Sequence, residues 1–249
     1  GGYMSLPLFI ASRLLKLKIY LIEPNQVLGR ANKFFLKYCK KIFCYSYDIK
    51  NFPIDYKNKI IKIYPLVKKQ IYEIKPFFSQ QKKITLLIVG GSQGAKIFDE
   101  NLKYSIAEIS KKNKIKIIHQ TNKKNIDSLS EFYSKIGVEN QIFSFKKNFS
   151  TLLQQVDLCI TRAGASTMAE LSVANIPFIA VPLPSAKDNH QFENAIFYKN
   201  KDCCWIIDQK NFESKIYQFL KEIIENKINL SKKKENLKKL NYQNNWINV

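Results

Sequence analysis

Residues Leu158 to Leu171 read L-C-I-T-R-A-G-A-S-T-M-A-E-L. An apolar strand over Leu158 to Thr161 runs into a turn of small residues, and a helix is expected from near Thr167. A strand that feeds such a turn and then a helix start is a ready anion site. The first N–H groups of a helix lack internal partners, and its dipole favours negative charge there. Ala163, Gly164 and Ala165 are small enough for a ligand to approach the backbone. Arg162 adds a fork of donors suited to phosphate. Glu170, one turn into the helix, can accept two hydroxyl protons, as from a ribose diol. The same Thr167-x-x-Glu170 spacing also fits a capping box, in which both side chains merely satisfy the helix's own donors.

The rest of the chain supports a folded enzyme-sized protein. Its 249 residues, 45% of them apolar, suffice for one large or two modest domains. The net charge is +21, yet all but three of the 41 basic residues are lysine, the arginines being Arg13, Arg30 and Arg162. Such charge favours acidic partners without specifying one, and would suit an anionic membrane or a nucleic acid equally. Five cysteines, Cys39, Cys44, Cys159, Cys203 and Cys204, show no zinc spacing and read as buried thiols. No metal and no cofactor are expected. Arg13, Lys16 and Lys18 interrupt Leu6 to Ile22, so no run of about 18 apolar residues could cross a bilayer. The opening Gly1-Gly2-Tyr3, without an initiating Met, reads as a chain entered mid-motif.

Strand and helix patterns alternate. Helices are expected over 6–17, 31–38, 95–110, 125–135, 149–156, 189–200, 211–226 and 232–242. Strands are expected over 18–22, 41–45, 60–63, 84–89, 114–119, 141–145, 158–161, 178–181 and 203–207. Alternation of this kind argues for parallel sheets covered by helices, an α/β fold with ligands beyond the carboxyl ends of the strands. Pro65 to Gln81 has two prolines and little periodicity and reads as an interdomain connector. The expected division is 1–65, a linker at 66–82, and 83–249.

Two further turns carry polar chemistry. Gly90 to Ala95, G-G-S-Q-G-A, follows a buried strand and opens a helix. It lacks the Lys-Ser/Thr of a P-loop, but its glycines and Ser92 could line a diphosphate. Pro184 to Asn194, P-S-A-K-D-N-H-Q-F-E-N, offers the mixed donors and acceptors that suit sugar hydroxyls. An ordinary strand-to-helix turn and a solvated helix start remain the alternatives at these two places.

In this order and spacing, the three turns resemble the MurG family of bacterial glycosyltransferases. Those enzymes move N-acetylglucosamine from UDP-N-acetylglucosamine onto lipid I to make lipid II for peptidoglycan. The N-terminal G-G-Y-M-S and E-P-N-Q-V-L-G-R-A-N-K are similar to stretches of the same family. The resemblance implies a GT-B architecture, two Rossmann-like domains with parallel sheets around a cleft, the N-terminal one incomplete here. It implies that Glu170 takes the ribose hydroxyls. Ala165, Ser166 and Thr167, after Gly164, offer a helix start to the diphosphate, with Ser92 alongside. His190, Gln191 and Asn194 face the sugar, the backbone of Lys146 faces the uracil, and Asn25 reaches into the cleft. The implied reaction inverts the anomeric centre without a metal.

The implied partners are UDP-N-acetylglucosamine, undecaprenyl-linked lipid I and, peripherally, the cytoplasmic face of the inner membrane. A nucleic-acid partner would leave all three turns unexplained and is not expected. A different GT-B enzyme using a UDP-sugar, an epimerase or another lipid glycosyltransferase, is the alternative. Two departures stand out. The family's first glycine-rich loop, with the histidine proposed as its base, would lie upstream of Gly1, which implies that this chain by itself is inactive. An arginine usual near the domain junction is absent, and Lys68 stands close to its place.

Overall fold

The structure, a computed structural model, describes residues 5–74, 83–91 and 96–243. The N-terminal unit opens with α1 (Ser5–Leu14), followed by β1 (Tyr20–Glu23), α2 (Arg30–Phe35), β2 (Lys41–Cys44) and β3 (Ile60–Lys62). Its strands form a parallel sheet in the order β1-β2-β3. Leu28, Leu36, Ile42, Cys44 and Ile49 make its small core. None of the α1 residues is buried, and Leu8, Leu14 and the following Leu15 are strongly exposed. The helix is held mainly by Phe9, whose ring stacks on Phe35 at 4.1 Å.

The connector is tighter than its composition suggests. It contains a one-turn helix, α3 (Lys69–Tyr72), and Val67 and Ile71 are sealed into the larger core that follows. Ile71 is 2% exposed. Burying such a side chain stabilises by about 1.5–3 kcal/mol, enough to dock the described part of the linker.

The C-terminal unit comprises β4 (Ile84–Val89), α4 (Lys96–Ser110), β5 (Ile115–Gln120), α5 (Ile126–Lys135), β6 (Glu139–Phe143), α6 (Phe149–Leu153) and β7 (Leu158–Thr161). It continues with α7 (Ala165–Val173), β8 (Phe178–Ala180), α8 (His190–Lys199), β9 (Cys204–Ile206), α9 (Phe212–Glu225) and α10 (Lys227–Lys239). All six strands are parallel, in the order β6-β5-β4-β7-β8-β9. Phe98, Leu102, Ile106 and Ile109 of α4 and Phe212, Ile216, Leu220 and Ile223 of α9 recur at helical spacing and cover one face. Met168 and Leu171 of α7 and Ala195 and Tyr198 of α8 cover the other, with Val67 and Ile71.

Element boundaries moved in places. The helix expected near Thr167 starts at Ala165, and the strand expected over 141–145 is shifted two residues toward the N-terminus. The strand order also fixes where a ligand can sit. The chain runs outward from β4 through β5 to β6, then returns to place β7 on the other side of β4. The connections leaving β4 and β7 therefore head to opposite sides of the sheet, the switch point at which such folds place their ligands beyond the strand ends. The two small-residue turns singled out in the sequence begin those two connections.

Candidate active site

At the β7 turn, Gly164 is the N-cap of α7, in extended backbone (φ −72°, ψ 133°), and makes no side-chain cap. Thr167 is then the third helical residue, so the capping-box reading of Thr167 and Glu170 fails. The first bond of the helix runs from Met168 N to Gly164 O at 3.0 Å. Among the described residues, nothing caps the N–H groups of Ala165, Ser166 and Thr167, and Ser166 is exposed. These backbone donors stand at the positive end of a helix dipole, an arrangement suited to diphosphate.

Glu170 is half-buried on the same helix. Burial pushes its carboxyl above the ordinary range, and the nearby charge of Lys68 pulls partly back. Lys68, which the sequence placed near a missing arginine, thus acts on Glu170. Arg162 turns toward α4. Its guanidinium lies 5.3 Å from the Phe98 ring, and one N–H donates to Val181 O at 3.2 Å. Burial lowers its pKa. Part of its donor capacity is therefore spent on satisfying a half-buried charge, which the phosphate-clamp expectation left out.

The β4 turn is described only at its start. Gly91 has φ +80°, a conformation that favours glycine. Ser92 lies outside the described residues, as do Gln93, Gly94 and Ala95. Lys146 is exposed in the loop after β6, and beside it Phe145 is 79% exposed. Sequence reasoning passed over Phe145 because it assigned that residue to a strand. Freed from the sheet, it is a ring available to a flat base.

The turn after β8 meets the N-terminal unit. Asn194, only 2% exposed, accepts from Gln26 N at 2.9 Å and donates to Asn25 Oδ1 at 3.0 Å and to Ala163 O at 3.1 Å. Its amide is therefore engaged between the units, and the sugar role implied for it would require those bonds to open. Gln191 receives the N–H of Leu183 on its Oε1 at 3.0 Å. His190 donates from Nδ1 to Lys187 O at 2.7 Å, and Nε2 takes no part in that bond. Asn25 and His190 line one cavity of about 770 Å³ between β1, α2 and the start of α8. A crevice of only about 10 Å³ separates Ala165 from Pro24 and Gln26.

The residue that sequence reasoning missed is Glu23. It is buried, and its carboxylate accepts from Asn25 N (3.2 Å), Asn25 Nδ2 (3.0 Å), Gly29 N (2.8 Å) and Asn32 Nδ2 (2.9 Å). A Cβ on Gly29 would come within 3.0 Å of Glu23 Oε2. The E-P-N-x-x-x-G-x-x-N spacing is thus one carboxylate and its donors, a signal legible as an acid followed by small and amide residues. All five cysteines are buried and free.

Comparison with known proteins agrees with this geometry. Residues 85–245 match the glycosyltransferase family 28 C-terminal domain. The UDP-N-acetylglucosamine–N-acetylmuramyl-(pentapeptide) pyrophosphoryl-undecaprenol N-acetylglucosamine transferase of Pelagibacter ubique is 50% identical over the whole of this chain and 70% of its own length. The protein of the same name from Rickettsia bellii is 33% identical, over 96% of this chain and 69% of its own length. Among solved structures, Acinetobacter baumannii MurG superposes with a TM-score of 0.79 at 26% identity, over 98% of this chain and 68% of that one. A Staphylococcus aureus MnaA–UDP structure superposes with a TM-score of 0.64 at 11% identity, a likeness of fold alone. The chain belongs to the MurG family of N-acetylglucosamine transferases.

Proposed function

We propose that this chain carries the donor-binding unit and part of the acceptor side of an enzyme that transfers N-acetylglucosamine from UDP-N-acetylglucosamine to the 4-hydroxyl of the muramyl sugar of lipid I, giving lipid II. The observation that carries the reading is the uncapped start of α7 with Glu170 one turn further on. The diphosphate accepts from Ala165, Ser166 and Thr167 N–H, the ribose hydroxyls donate to Glu170, and Lys146 and Phe145 take the uracil. Ser92, which lies outside the described residues, is a further diphosphate donor in the same reading. His190 and Gln191 meet the sugar; Asn25 and Asn194 join them only when the bonds that pair them across the units open. The division into an acceptor-side unit (1–65), a linker (66–82) and a donor unit (83–249) belongs to the same reading.

The bond from the anomeric carbon to the diphosphate oxygen breaks as the acceptor oxygen bonds to that carbon from the opposite face. UDP leaves with the electron pair, and its growing charge falls on donors already fixed in place. The hydroxyl proton passes to a base. Glu23 is unsuited to that task, because four N–H groups already occupy its oxygens.

Among the described residues no helix is long and apolar enough to cross a membrane. Peripheral binding through the exposed Leu8, Leu14 and Leu15, beside Arg13, Lys16 and Lys18, would bring the site to a lipid-borne acceptor. Incubation of the full-length protein with labelled UDP-N-acetylglucosamine tests the reading. Label should pass to lipid I and not to diacylglycerol, whereas label on diacylglycerol, or release of a free epimeric sugar, would replace it with the alternative.

A further inference from the structure

Asp188 (φ 53°) and Asn189 (φ 54°), consecutive residues at the entry to α8, both adopt left-handed backbone. Asn and Asp tolerate this conformation better than most residues, but two in succession need support from outside the turn. Arg30 supplies it. Its Nε donates to Asp188 Oδ2 at 3.0 Å and its Nη2 to Oδ1 at 2.9 Å, fork against fork. His190 and Gln191 follow directly. The same helix is gripped twice more from the N-terminal unit, by Lys50 on Glu193 at 2.7 Å and by Asn25 and Gln26 on Asn194. Arg30 itself is exposed and sits on the other unit, far in sequence from the donor turns.

We propose that Arg30 is a positioning residue: by pairing with Asp188 it holds the Asp188–Asn189 turn in the form that aims His190 and Gln191 at the donor sugar. Recognition of the sugar by the C-terminal unit then depends on a side chain of the N-terminal one, while the nucleotide, held by α7, does not feel it. The inference rests on the donor reading given above.

Calorimetric titration of UDP and of UDP-N-acetylglucosamine into wild type, Arg30→Ala and the Arg30→Ala, Asn189→Gly double variant tests it, alongside hydrogen exchange of the 188–192 amides. Arg30→Ala should weaken UDP-N-acetylglucosamine about fivefold, leave UDP unchanged and speed exchange at 188–192 about fivefold. Asn189→Gly, which adopts left-handed backbone freely, should recover most of both losses. An equal loss for the two ligands, or unchanged affinity for the sugar nucleotide, would overturn the inference. If the wild type binds neither ligand, the donor reading fails. Exchange still decides the role of Arg30, because amides at 188–192 that ignore its removal mean that it does not hold the turn.

Discussion

Asn194 Nδ2 donates to Asn25 Oδ1 across 3.0 Å, although 169 positions separate the two residues. The same side chain accepts the Gln26 N–H, so a single buried amide ties the first strand's exit loop to α8. Asn194→Ala would leave the Gln26 N–H and the Ala163 carbonyl buried without these partners. A loss of about 2 kcal/mol is expected, read as a lower urea midpoint. An unchanged midpoint would mean that the two units do not rely on this contact.

Glu23 should prove sensitive, because its buried carboxylate accepts four hydrogen bonds. Glu23→Gln sets an NH₂ against N–H groups that now point at carboxylate oxygens, and about 2–3 kcal/mol should be lost. Gly29→Ala, which places a methyl carbon 3.0 Å from Glu23 Oε2, should cost about 1–2 kcal/mol. Thermal melts of both variants check the order: Gln worse than Ala.

A second buried carboxylate, Asp99, accepts from Thr121 Oγ1 at 2.7 Å and Asn125 Nδ2 at 2.8 Å, and its Oδ1 lies 3.1 Å from Nε2 of the fully buried His119. Burial alone would raise its pKa. The groups around it outweigh that effect and hold it below its ordinary value of 3.8. A depressed acid contributes fully above its unfolded pKa and loses that contribution as pH falls through its folded one. The stability gap between wild type and Asp99→Ala should therefore be about 2 kcal/mol near neutrality and shrink below about pH 4. A gap that widens on acidification would reverse the assignment.

Glu170 titrates in the opposite sense. Burial raises its carboxyl above the ordinary 4.5, and Lys68 moderates the rise. The ionised form is the stronger acceptor for both ribose hydroxyls, so affinity for UDP-N-acetylglucosamine, whose diphosphate has no proton to gain in this range, should fall as pH drops through that raised value. Glu170→Gln should flatten the profile, and Lys68→Ala should shift its midpoint upward. A wild-type profile already flat at mildly acidic pH would count against Glu170 as the ribose acceptor.

Much of the donor unit was legible in the sequence for a physical reason. Strands buried on both faces, such as Ile84–Val89 and Leu158–Thr161, leave unbroken apolar runs that end at turns of small residues, and both boundaries fell where those runs stop. The start of α7 was misplaced because Thr167 looks like a cap, whereas the helix dispenses with a side-chain cap altogether. The strand expected over 141–145 slid because Phe145 looks like a core residue yet is exposed. Long-range polar pairings escaped local reading entirely. Nothing near Asn194 announces Asn25 or Gln26, and nothing near Asp188 announces Arg30.

The proposed grip on the nucleotide depends on the beginning of α7, and Glu170→Ala probes it most directly. Titrated with UDP-N-acetylglucosamine in a calorimeter, the wild-type chain should bind, and the variant should bind about tenfold or more weakly while melting at a similar temperature. Equal affinity in the two folded proteins would contradict the assignment of the ribose and diphosphate to this helix.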